Sequence, residues 1–350
     1  MFAIIRSISL LYTVLLACLV FGPADIIAEV TGNPDKPGPL ELQTIEFADL
    51  HDNHRGDRRV PIKIHLPVNK GPWPVIIVSH GAGGHWDANY AQALHLASHG
   101  YAVFCLEHIG SNTARLKQGW RFIRNLKAMT RDSDEVLNRP TDISFALDCA
   151  TIWNKEQGTL RGLLDLEHVG VLGHSFGAYT TLVVCGMRPA LDWLTPSVGP
   201  GKGLGPDLSD PRVDAGVALS PQGPGEPFFH DASYQSLNRP LLGITGSKDK
   251  QQGAPPENRR RFFELIPAGG KVFIWLNNAD HTAFSDSSGT GLRSLHSKSR
   301  NDVQPIVRAS TLLFFDAWLK GNKEAEAALS EHSLRPLLRG VVDGLEVHKK

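Results

Sequence analysis

The sequence predicts an α/β protein with a mostly parallel central sheet of about eight strands and helices on both faces. The first observation is a series of blocks of consecutive apolar, often β-branched residues without alternation, which is typical of parallel strands buried on both faces. The second is that helical patterns separate these blocks, so that strand and helix alternate along the chain.

The predicted strands follow one another from residue 42 to residue 276. Two runs at 42–47 and 60–66 come first, and the apolar block at 74–79 is the first central strand. Further blocks lie at 101–106, 168–172, 213–219, 240–245 and 271–276. Helical patterns cover 86–98, 141–154, 177–187, 256–265 and 302–320.

Two stretches interrupt the alternation. Residues 112–139 are basic and contain Trp120, Phe122 and Met129, and residues 188–211 are rich in Gly and Pro. Each stretch follows a strand or helix whose C-terminal end is expected to point toward the edge of the sheet where the carboxyl ends of the parallel strands lie. They therefore either shape a substrate pocket there or only pack on the surface.

The charge of the chain is balanced. Its 350 residues include 36 basic and 36 acidic side chains, so the formal net charge at pH 7 is zero. This balance gives no electrostatic reason to expect nucleic acid or an anionic membrane surface as a partner. It favours a substrate that carries little charge.

The first 28 residues have the features of a signal peptide. Arg6 supplies a positive charge, an apolar run follows at 7–21, and Ala28 precedes a candidate cleavage site. The run is short for a membrane span, so we expect export to the periplasm or the cell exterior and no stable span after its removal. The pattern that ends at Cys18 also resembles a lipoprotein signal, so a lipid anchor there is the alternative.

After this leader we expect a flexible lead-in at 29–40 and a single domain at 41–350. The domain contains Cys105, Cys149 and Cys185, none at metal-ligand spacing. Their positions within strand and helix patterns predict small core residues, and the sequence leaves a disulfide open.

The segment Gly173-His174-Ser175-Phe176-Gly177 matches the G-x-S-x-G pattern of a nucleophile turn. The pattern alone is weak evidence, since chance produces it in roughly one chain of this length in five. Its position is informative, because it lies directly between a buried strand and a helix. The sharp turn leaves no room for side chains at its flanks, which explains both glycines. Ser175 is the predicted nucleophile.

A serine hydroxyl needs a base to take its proton and a carboxylate to orient that base. Asp249 follows the strand at 240–245, and His281 follows the strand at 271–276. Both therefore lie at carboxyl ends of strands, after the nucleophile and in the order acid, then base. The sequence predicts a triad of Ser175, Asp249 and His281.

Other acidic and histidine side chains fit this role less well. Asp280 is adjacent to the predicted base and can hardly reach its Nδ1 atom, and His108 precedes the nucleophile. His51 and His54 have no companions at metal-ligand spacing, so no metal site is expected. His174 is expected to pack beside the nucleophile.

Backbone N–H groups stabilise the negative charge that develops on a carbonyl oxygen during acyl transfer. The amide of Phe176, directly after the nucleophile, is one predicted donor of this oxyanion hole. The other is the amide of Ala82 in the loop His80-Gly81-Ala82-Gly83-Gly84, where glycines let the backbone approach a substrate closely. A glycine-rich turn without a donor is the alternative.

These residues resemble the plasma-type platelet-activating-factor acetylhydrolases and their bacterial relatives, often called predicted dienelactone hydrolases. The resemblance is carried by Ser79-His80-Gly81-Ala82-Gly83, Leu96-Ala97-Ser98-His99-Gly100-Tyr101 and Glu107-His108, and it continues at 169–177. It implies an α/β-hydrolase fold within a wider group that includes polyester hydrolases and chlorophyllase-like esterases. It also implies a Ser-Asp-His triad that works without a metal or organic cofactor.

The sequence departs from the acetylhydrolases at two positions. Their acid follows the strand directly after the nucleophile helix, whereas here that strand ends in Leu219-Ser220-Pro221. The acid is therefore expected one strand later, at Asp249, as in the bacterial branch. Ala178 stands where many relatives have a second glycine. These departures favour esters in general over platelet-activating factor as substrate, and Ser175 does not indicate dienelactone chemistry, which is associated with a Cys nucleophile.

We therefore expect a carboxylic-ester hydrolase that works through an acyl-enzyme. The alternative among hydrolases is a peptidase or amidase with the same triad. The alternative of another class is a non-catalytic binding protein of the same fold. An oxidoreductase is not indicated, because the sequence contains no dinucleotide-binding fingerprint.

Overall fold

The computed structural model describes residues 33–68, 71–156, 158–251, 253–286 and 297–350. Within them a nine-stranded sheet has the order β1-β4-β6-β5-β7-β8-β9-β10-β11, with a separate ribbon of β2 and β3. The strands are β1 (Leu42–Phe47), β2 (His51–Asp52), β3 (Arg58–Arg59), β4 (Ile62–Pro67), β5 (Trp73–Ser79), β6 (Ala102–Leu106), β7 (Leu164–His174), β8 (Ala215–Leu219), β9 (Leu241–Lys248), β10 (Lys271–Asp280) and β11 (Leu345–Lys349). The six strands from β6 to β10 in this order are parallel, so the predicted mostly parallel α/β fold is confirmed.

Helices cover both faces of the sheet. They are α1 (Tyr90–Ser98), α2 (Thr113–Leu116), α3 (Phe122–Met129), α4 (Ser133–Lys155), α5 (Phe176–Val184), α6 (Asn258–Leu265), α7 (Arg300–Leu319), α8 (Lys323–Ala328) and α9 (Glu331–Leu334). Helices α4 and α5 bury their apolar residues in one core cluster, and α1 and α7 bury theirs in the other. The two clusters lie on opposite faces, which is why the central strands are apolar without alternation.

The register of the central strands brings their carboxyl ends together. Ser79 at the end of β5 pairs with Leu106 of β6 on one side and with Gly173 of β7 on the other. On the far side of β7, His174 pairs with Leu219 at the end of β8. The predicted nucleophile turn at 173–177 and the loop at 80–84 that holds the predicted donor Ala82, here called the oxyanion loop, therefore begin at neighbouring points of one edge.

The sheet has one strand more than the eight predicted. The additional strand, β11, pairs antiparallel with β10 at the edge of the sheet. It is five residues long, and three of these are charged or histidine. Such a short polar segment carries no apolar block, so sequence patterning did not find it.

Helix α4 begins at Ser133, eight residues before the predicted start at residue 141. The additional first part of the helix contains Pro140, and a proline inside a helix leaves the carbonyl four residues earlier without its hydrogen bond. That carbonyl belongs to Val136, and the Tyr179 hydroxyl of α5 donates to it over 3.0 Å. A tertiary contact therefore stabilises the helix through the proline.

The chain ahead of the sheet contacts α1 and α7 at residues 35–38, within the stretch 29–40 that was predicted as a flexible lead-in. The amide of Gly38 donates to Ser98 Oγ over 2.8 Å, and Arg308 Nε donates to the Asp35 carbonyl over 2.9 Å. The predicted signal peptide at 1–28 and the alternative anchor at Cys18 lie outside the described residues.

The three cysteines of the described chain are free thiols. Cys105 and Cys185 are buried as predicted, and Cys149 is partly exposed. Over the same residues, none of the helices has the length and apolarity needed to cross a membrane.

Candidate active site

Ser175 lies at the turn between β7 and α5 with φ 57° and ψ −115°, a backbone conformation that non-glycine residues rarely adopt. Its amide donates to the Leu219 carbonyl over 3.0 Å, which ties the turn to the end of β8. A Cβ at Gly173 would collide with the Gly177 carbonyl, and one at Gly177 would collide with the Ser79 carbonyl. Close backbone contacts on both sides therefore hold the serine in its strained geometry.

The structure brings the three predicted triad residues together. Ser175 Oγ lies 2.9 Å from His281 Nε2, and His281 Nδ1 lies 2.8 Å from Asp249 Oδ1. The acid and the base come from the ends of β9 and β10, which pair in parallel. Both distances lie in the range of hydrogen bonds, so the three side chains form one continuous chain of contacts.

Asp249 is fully buried and satisfied by several donors. Ser220 Oγ and Thr245 Oγ1 donate to its Oδ2 over 2.6 and 2.8 Å, and Arg259 Nε lies 3.1 Å from its Oδ1. Burial alone would raise the pKa of this carboxyl, but the charges of Arg259 and His281 and the hydrogen bonds lower it well below its usual range. The carboxylate is therefore ionised and available to the imidazole.

Asp280 precedes His281 directly in the sequence, but its carboxylate binds other residues. Its Oδ1 accepts hydrogen bonds from the amide and hydroxyl of Thr282, both over 2.9 Å, and its Oδ2 accepts one from Ser299 Oγ over 3.2 Å. It is the N-cap of a short 3-10 turn that begins at His281. Its role in the structure is to hold this turn.

His174, which the sequence predicts to pack beside Ser175, contacts His281. Its ring centroid lies 4.9 Å from that of His281, and its Nε2 lies 2.9 Å from the His281 carbonyl. Burial, together with the charge of His281, lowers the pKa of His174 to about 3, so the ring is neutral at pH 7. It donates to the His281 backbone and supports the residue that it contacts.

The predicted oxyanion donors stand next to the serine. A Cβ placed on Gly81 would lie 3.5 Å from Ser175 Cβ, so the loop at 80–84 runs directly past the turn. Phe176 is the first residue of α5, where helix amides have no intrahelical acceptor. Within the described residues, neither the Ala82 nor the Phe176 amide donates to a protein acceptor.

The two stretches that interrupt the alternation differ in their contacts. The start of 112–139 lies against the oxyanion loop, where the Thr113 amide donates to the Gly84 carbonyl over 2.8 Å and the Leu116 side chain packs on Gly83. The stretch at 188–211 bonds to the first, with the Thr195 amide donating to the Arg131 carbonyl over 2.7 Å. The first stretch therefore helps to form the site.

His108 was excluded as a base from its position in the sequence, and the structure places it in a buried network beside the oxyanion loop. Its Nε2 lies 2.9 Å from Ser79 Oγ and its Nδ1 lies 2.8 Å from Asp142 Oδ2. All three side chains are fully buried, so no substrate reaches them. Burial and the nearby Arg139 charge lower the pKa of His108 to about 3, and the imidazole is neutral.

Two arginines of the site were missed by sequence reasoning. Arg259 on α6 contacts Asp249 and lies 3.4 Å from His281 Nδ1 through its Nη2. Arg139 on α4 is fully buried next to the oxyanion loop. Nothing in their sequence positions distinguishes them from surface cations, because their function depends on which face of each helix meets the sheet edge.

The described part of the chain holds no group of three or more His, Cys, Asp or Glu side chains arranged to bind a metal ion. His51 and His54 lie near the two-stranded ribbon, and His51 pairs with Asp49 and Asp57 on the surface.

The chain is similar to known proteins over part of its length. Residues 42–118 match the family model described as platelet-activating factor acetylhydrolase, isoform II. The protein named platelet-activating factor acetylhydrolase from Canis lupus familiaris is 26% identical over 269 residues, which cover 67% of this chain and 53% of that protein. The protein of the same name from Cavia porcellus is 28% identical over 298 residues, which cover 75% of this chain and 62% of that protein.

The chain thus spans only about half to three fifths of the length of these relatives. The matched residues 42–118 include the oxyanion loop and the Glu107-His108 pair that carry the resemblance in the sequence. These matches confirm the predicted resemblance to the platelet-activating factor acetylhydrolases, and the mostly parallel sheet is consistent with the α/β fold that the resemblance implies.

Proposed function

We propose that residues 41–350 form a hydrolase domain that cleaves carboxylic esters through an acyl-enzyme on Ser175. The observation that carries this proposal is the continuous set of hydrogen-bond contacts from Ser175 Oγ through the His281 imidazole to Asp249. The strained serine turn supports it, as do the two neighbouring amides, which have no protein acceptor among the residues that the structure describes.

In this mechanism His281 Nε2 accepts the Ser175 proton as Oγ attacks the ester carbonyl. The carbonyl oxygen becomes an oxyanion, to which the amides of Ala82 and Phe176 donate. His281 then gives its proton to the departing alcohol, and an acyl-enzyme remains. Water, deprotonated by the same imidazole, hydrolyses it and frees the serine. Asp249 stays ionised throughout and stabilises the imidazolium.

We propose uncharged esters with a short acyl group as the substrate class, without the involvement of a cofactor. The balanced charge of the chain supports a substrate with little net charge. The names of the two relatives add acetylated lipids as candidates. The acetylhydrolases have their acid at the strand end where this chain has Ser220, whereas the acid proposed here is Asp249. This difference favours a broader range of esters than platelet-activating factor alone.

The test is fluorophosphonate labelling of the protein beside its Ser175→Ala variant. We expect one label per wild-type chain and none on the variant. A wild-type protein that takes no label would remove Ser175 from the mechanism and would favour the alternative of a non-catalytic binding protein.

Turnover of p-nitrophenyl esters of increasing acyl length, of an acetylated phospholipid and of peptide anilides then identifies the substrate class. We expect the highest kcat/KM for short esters. Faster cleavage of the anilides would replace the esterase assignment with the peptidase or amidase that uses the same triad.

We further propose that the protein is exported through the leader at 1–28. The mass of the mature protein from the native host tests this, because cleavage after Ala28 removes 28 residues. A mature chain that begins at a lipid-modified Cys18 would instead show the lipoprotein alternative, and an uncut chain would contradict both.

A further inference from the structure

We propose that Arg139 is a positioning residue that holds both backbone donors of the oxyanion hole. Its side chain touches neither a substrate nor the triad. It contacts the two segments that carry the Ala82 and Phe176 amides. This inference deepens the proposed function and rests on it.

On the Ala82 side, Arg139 bonds to the backbone that leads into the oxyanion loop. Its Nη2 donates to the His80 carbonyl and, over 3.0 Å, to Ser79 Oγ. The guanidinium is fully buried, so these bonds are made without competition from water. The loop is therefore fixed at the point where it leaves β5.

His80 transmits this constraint to the Ala82 amide. Its Nε2 accepts from the His108 amide over 3.0 Å, which leaves the proton on Nδ1, and Nδ1 donates to the Gly81 carbonyl over 2.7 Å. That carbonyl and the Ala82 N–H belong to one peptide, and the two point in opposite directions across a trans bond. A fixed Gly81 carbonyl therefore fixes the direction of the Ala82 donor.

On the Phe176 side, Arg139 lies over the aromatic ring of the residue whose amide is the second donor. The guanidinium carbon is 4.4 Å from the ring centroid, a cation–π contact. Arg139 Nε also donates to Thr180 Oγ1 over 3.0 Å, one turn further along α5. One planar group thus joins the first turn of α5 to the oxyanion loop.

The surrounding network fixes the orientation of the guanidinium. Ionised Asp142 accepts a hydrogen bond from His108 Nδ1, so the other ring nitrogen, Nε2, carries no proton. The Ser79 hydroxyl donates its hydrogen bond to this Nε2. The lone pairs of Ser79 Oγ therefore remain free to accept a hydrogen bond from Arg139. Ser111 Oγ accepts a further bond from Nη1 over 2.8 Å. The N–H groups of a planar guanidinium are needed to donate to all these acceptors at once, so lysine is not an equivalent replacement.

The proposal predicts a loss in transition-state binding. Removal of a single oxyanion donor typically costs about 10²–10³ in kcat. We expect Arg139→Lys and Arg139→Met to lower kcat/KM for a p-nitrophenyl ester by about 10²-fold per active site. Arg212→Lys is the matched control, because Arg212 bonds the same helix at Asp148 but lies outside the site, and we expect it to keep wild-type kcat/KM.

The experiment measures three quantities for each variant: the fraction of chains that a fluorophosphonate labels at completion, kcat/KM per labelled chain, and the Ki of a trifluoromethyl ketone. The ketone forms a tetrahedral oxyanion on the serine, so its Ki reports the oxyanion hole directly. Positioning by Arg139 requires Ki to rise by the same factor as kcat/KM falls. A merely structural role would lower the melting temperature and the labelled fraction but leave both quantities per labelled chain unchanged, and that result would overturn the proposal.

A second variant keeps the test decisive if both Arg139 variants fail to fold. Ser79→Ala removes one acceptor of the guanidinium and keeps its charge, and we expect the same paired change in kcat/KM and Ki at about three- to tenfold. Unchanged values would contradict the proposal. A wild-type protein that is neither labelled nor active would instead overturn the proposed function, and the role of Arg139 would fall with it.

Discussion

At Asp249, burial and charge act on the carboxyl in opposite directions. The desolvation of a fully buried acid favours its neutral form, whereas Arg259 and the hydroxyls of Ser220 and Thr245 favour the carboxylate. The ionised form prevails, so the imidazole of His281 has a fixed acceptor for its Nδ1 proton. Ser220, which stands at the end of the preceding strand, contributes a hydroxyl to the acid.

The first prediction separates the two aspartates near His281. We expect Asp249→Asn to lower kcat by about 10⁴, because the imidazole would be held in the wrong tautomer. Turnover of a short p-nitrophenyl ester measures this loss.

Asp280→Asn is the matched control for this change. We expect it to keep kcat within about threefold and to cost about 1 kcal/mol of stability, because the amide oxygen still caps the 3-10 turn but the second acceptor, which binds Ser299 Oγ, is lost. The assignment of the acid would be wrong if the two variants exchanged these effects.

Among the elements, the turn between β7 and α5 depends most on backbone contact. Gly177 touches the end of β5, and Gly173 touches Gly177 itself, so the turn, Ser175 and the loop at 80–84 form one packed unit. Helix α4 also relies on a tertiary contact, since the Tyr179 hydroxyl of α5 donates to the Val136 carbonyl that Pro140 leaves without its helical hydrogen bond.

The second prediction concerns this turn. We expect Gly177→Ala to destabilise the protein by more than about 3 kcal/mol and to abolish fluorophosphonate labelling, because its Cβ would meet the Ser79 carbonyl. Thermal unfolding and labelling measure the two effects. Gly158→Ala, at a surface glycine with nothing within 4 Å of the added carbon, should change stability by less than about 0.5 kcal/mol. A Gly177→Ala variant as stable and reactive as Gly158→Ala would contradict the described packing.

At the scale of the whole molecule, the fold buries several neutral histidines. Burial lowers the pKa of His95, His108 and His174 to about 3 and that of His65 to about 4. The unfolded chain binds protons at these sites near pH 6.5, so between pH 6.5 and 4 it binds more protons than the native state. Acid therefore favours the unfolded state.

The third prediction follows from this sign. The free energy of unfolding should fall as the pH drops from 7 to 5, by up to about 1.4 kcal/mol per pH unit for each buried histidine. Asp286 opposes the trend, because burial raises its pKa to about 7. As the pH falls, this carboxyl therefore binds a proton in the native state before it does so in the unfolded chain, which favours the native state. The histidines outnumber this carboxyl, so a net loss remains. Urea unfolding at pH 7, 6 and 5 measures how steeply the free energy of unfolding depends on pH. The His95→Gln variant should show a smaller dependence, because the contribution of one buried imidazole is removed. Stability that is constant or rises toward pH 5 would contradict the prediction.

By itself, the sequence determined the alternation of strands and helices, the serine turn and the residues from which a triad could be chosen. These are local properties, because periodicity and glycine spacing follow from backbone geometry within a few residues. It did not determine the ninth strand or the full length of α4, which depend on partners distant in the chain.

The sequence predicted Asp249 rather than Asp280 as the partner of His281, but only the tertiary structure shows how the two meet and which arginine lies beside the oxyanion loop. Asp280 is nearest in sequence, yet Asp249 lies 32 residues away and meets the imidazole because β9 and β10 are parallel neighbours. Arg139 reaches His80 across 59 residues because α4 packs on the same edge of the sheet. Contacts of this kind are set by strand register and helix packing, so side chains that resemble surface charges in the sequence become parts of the site.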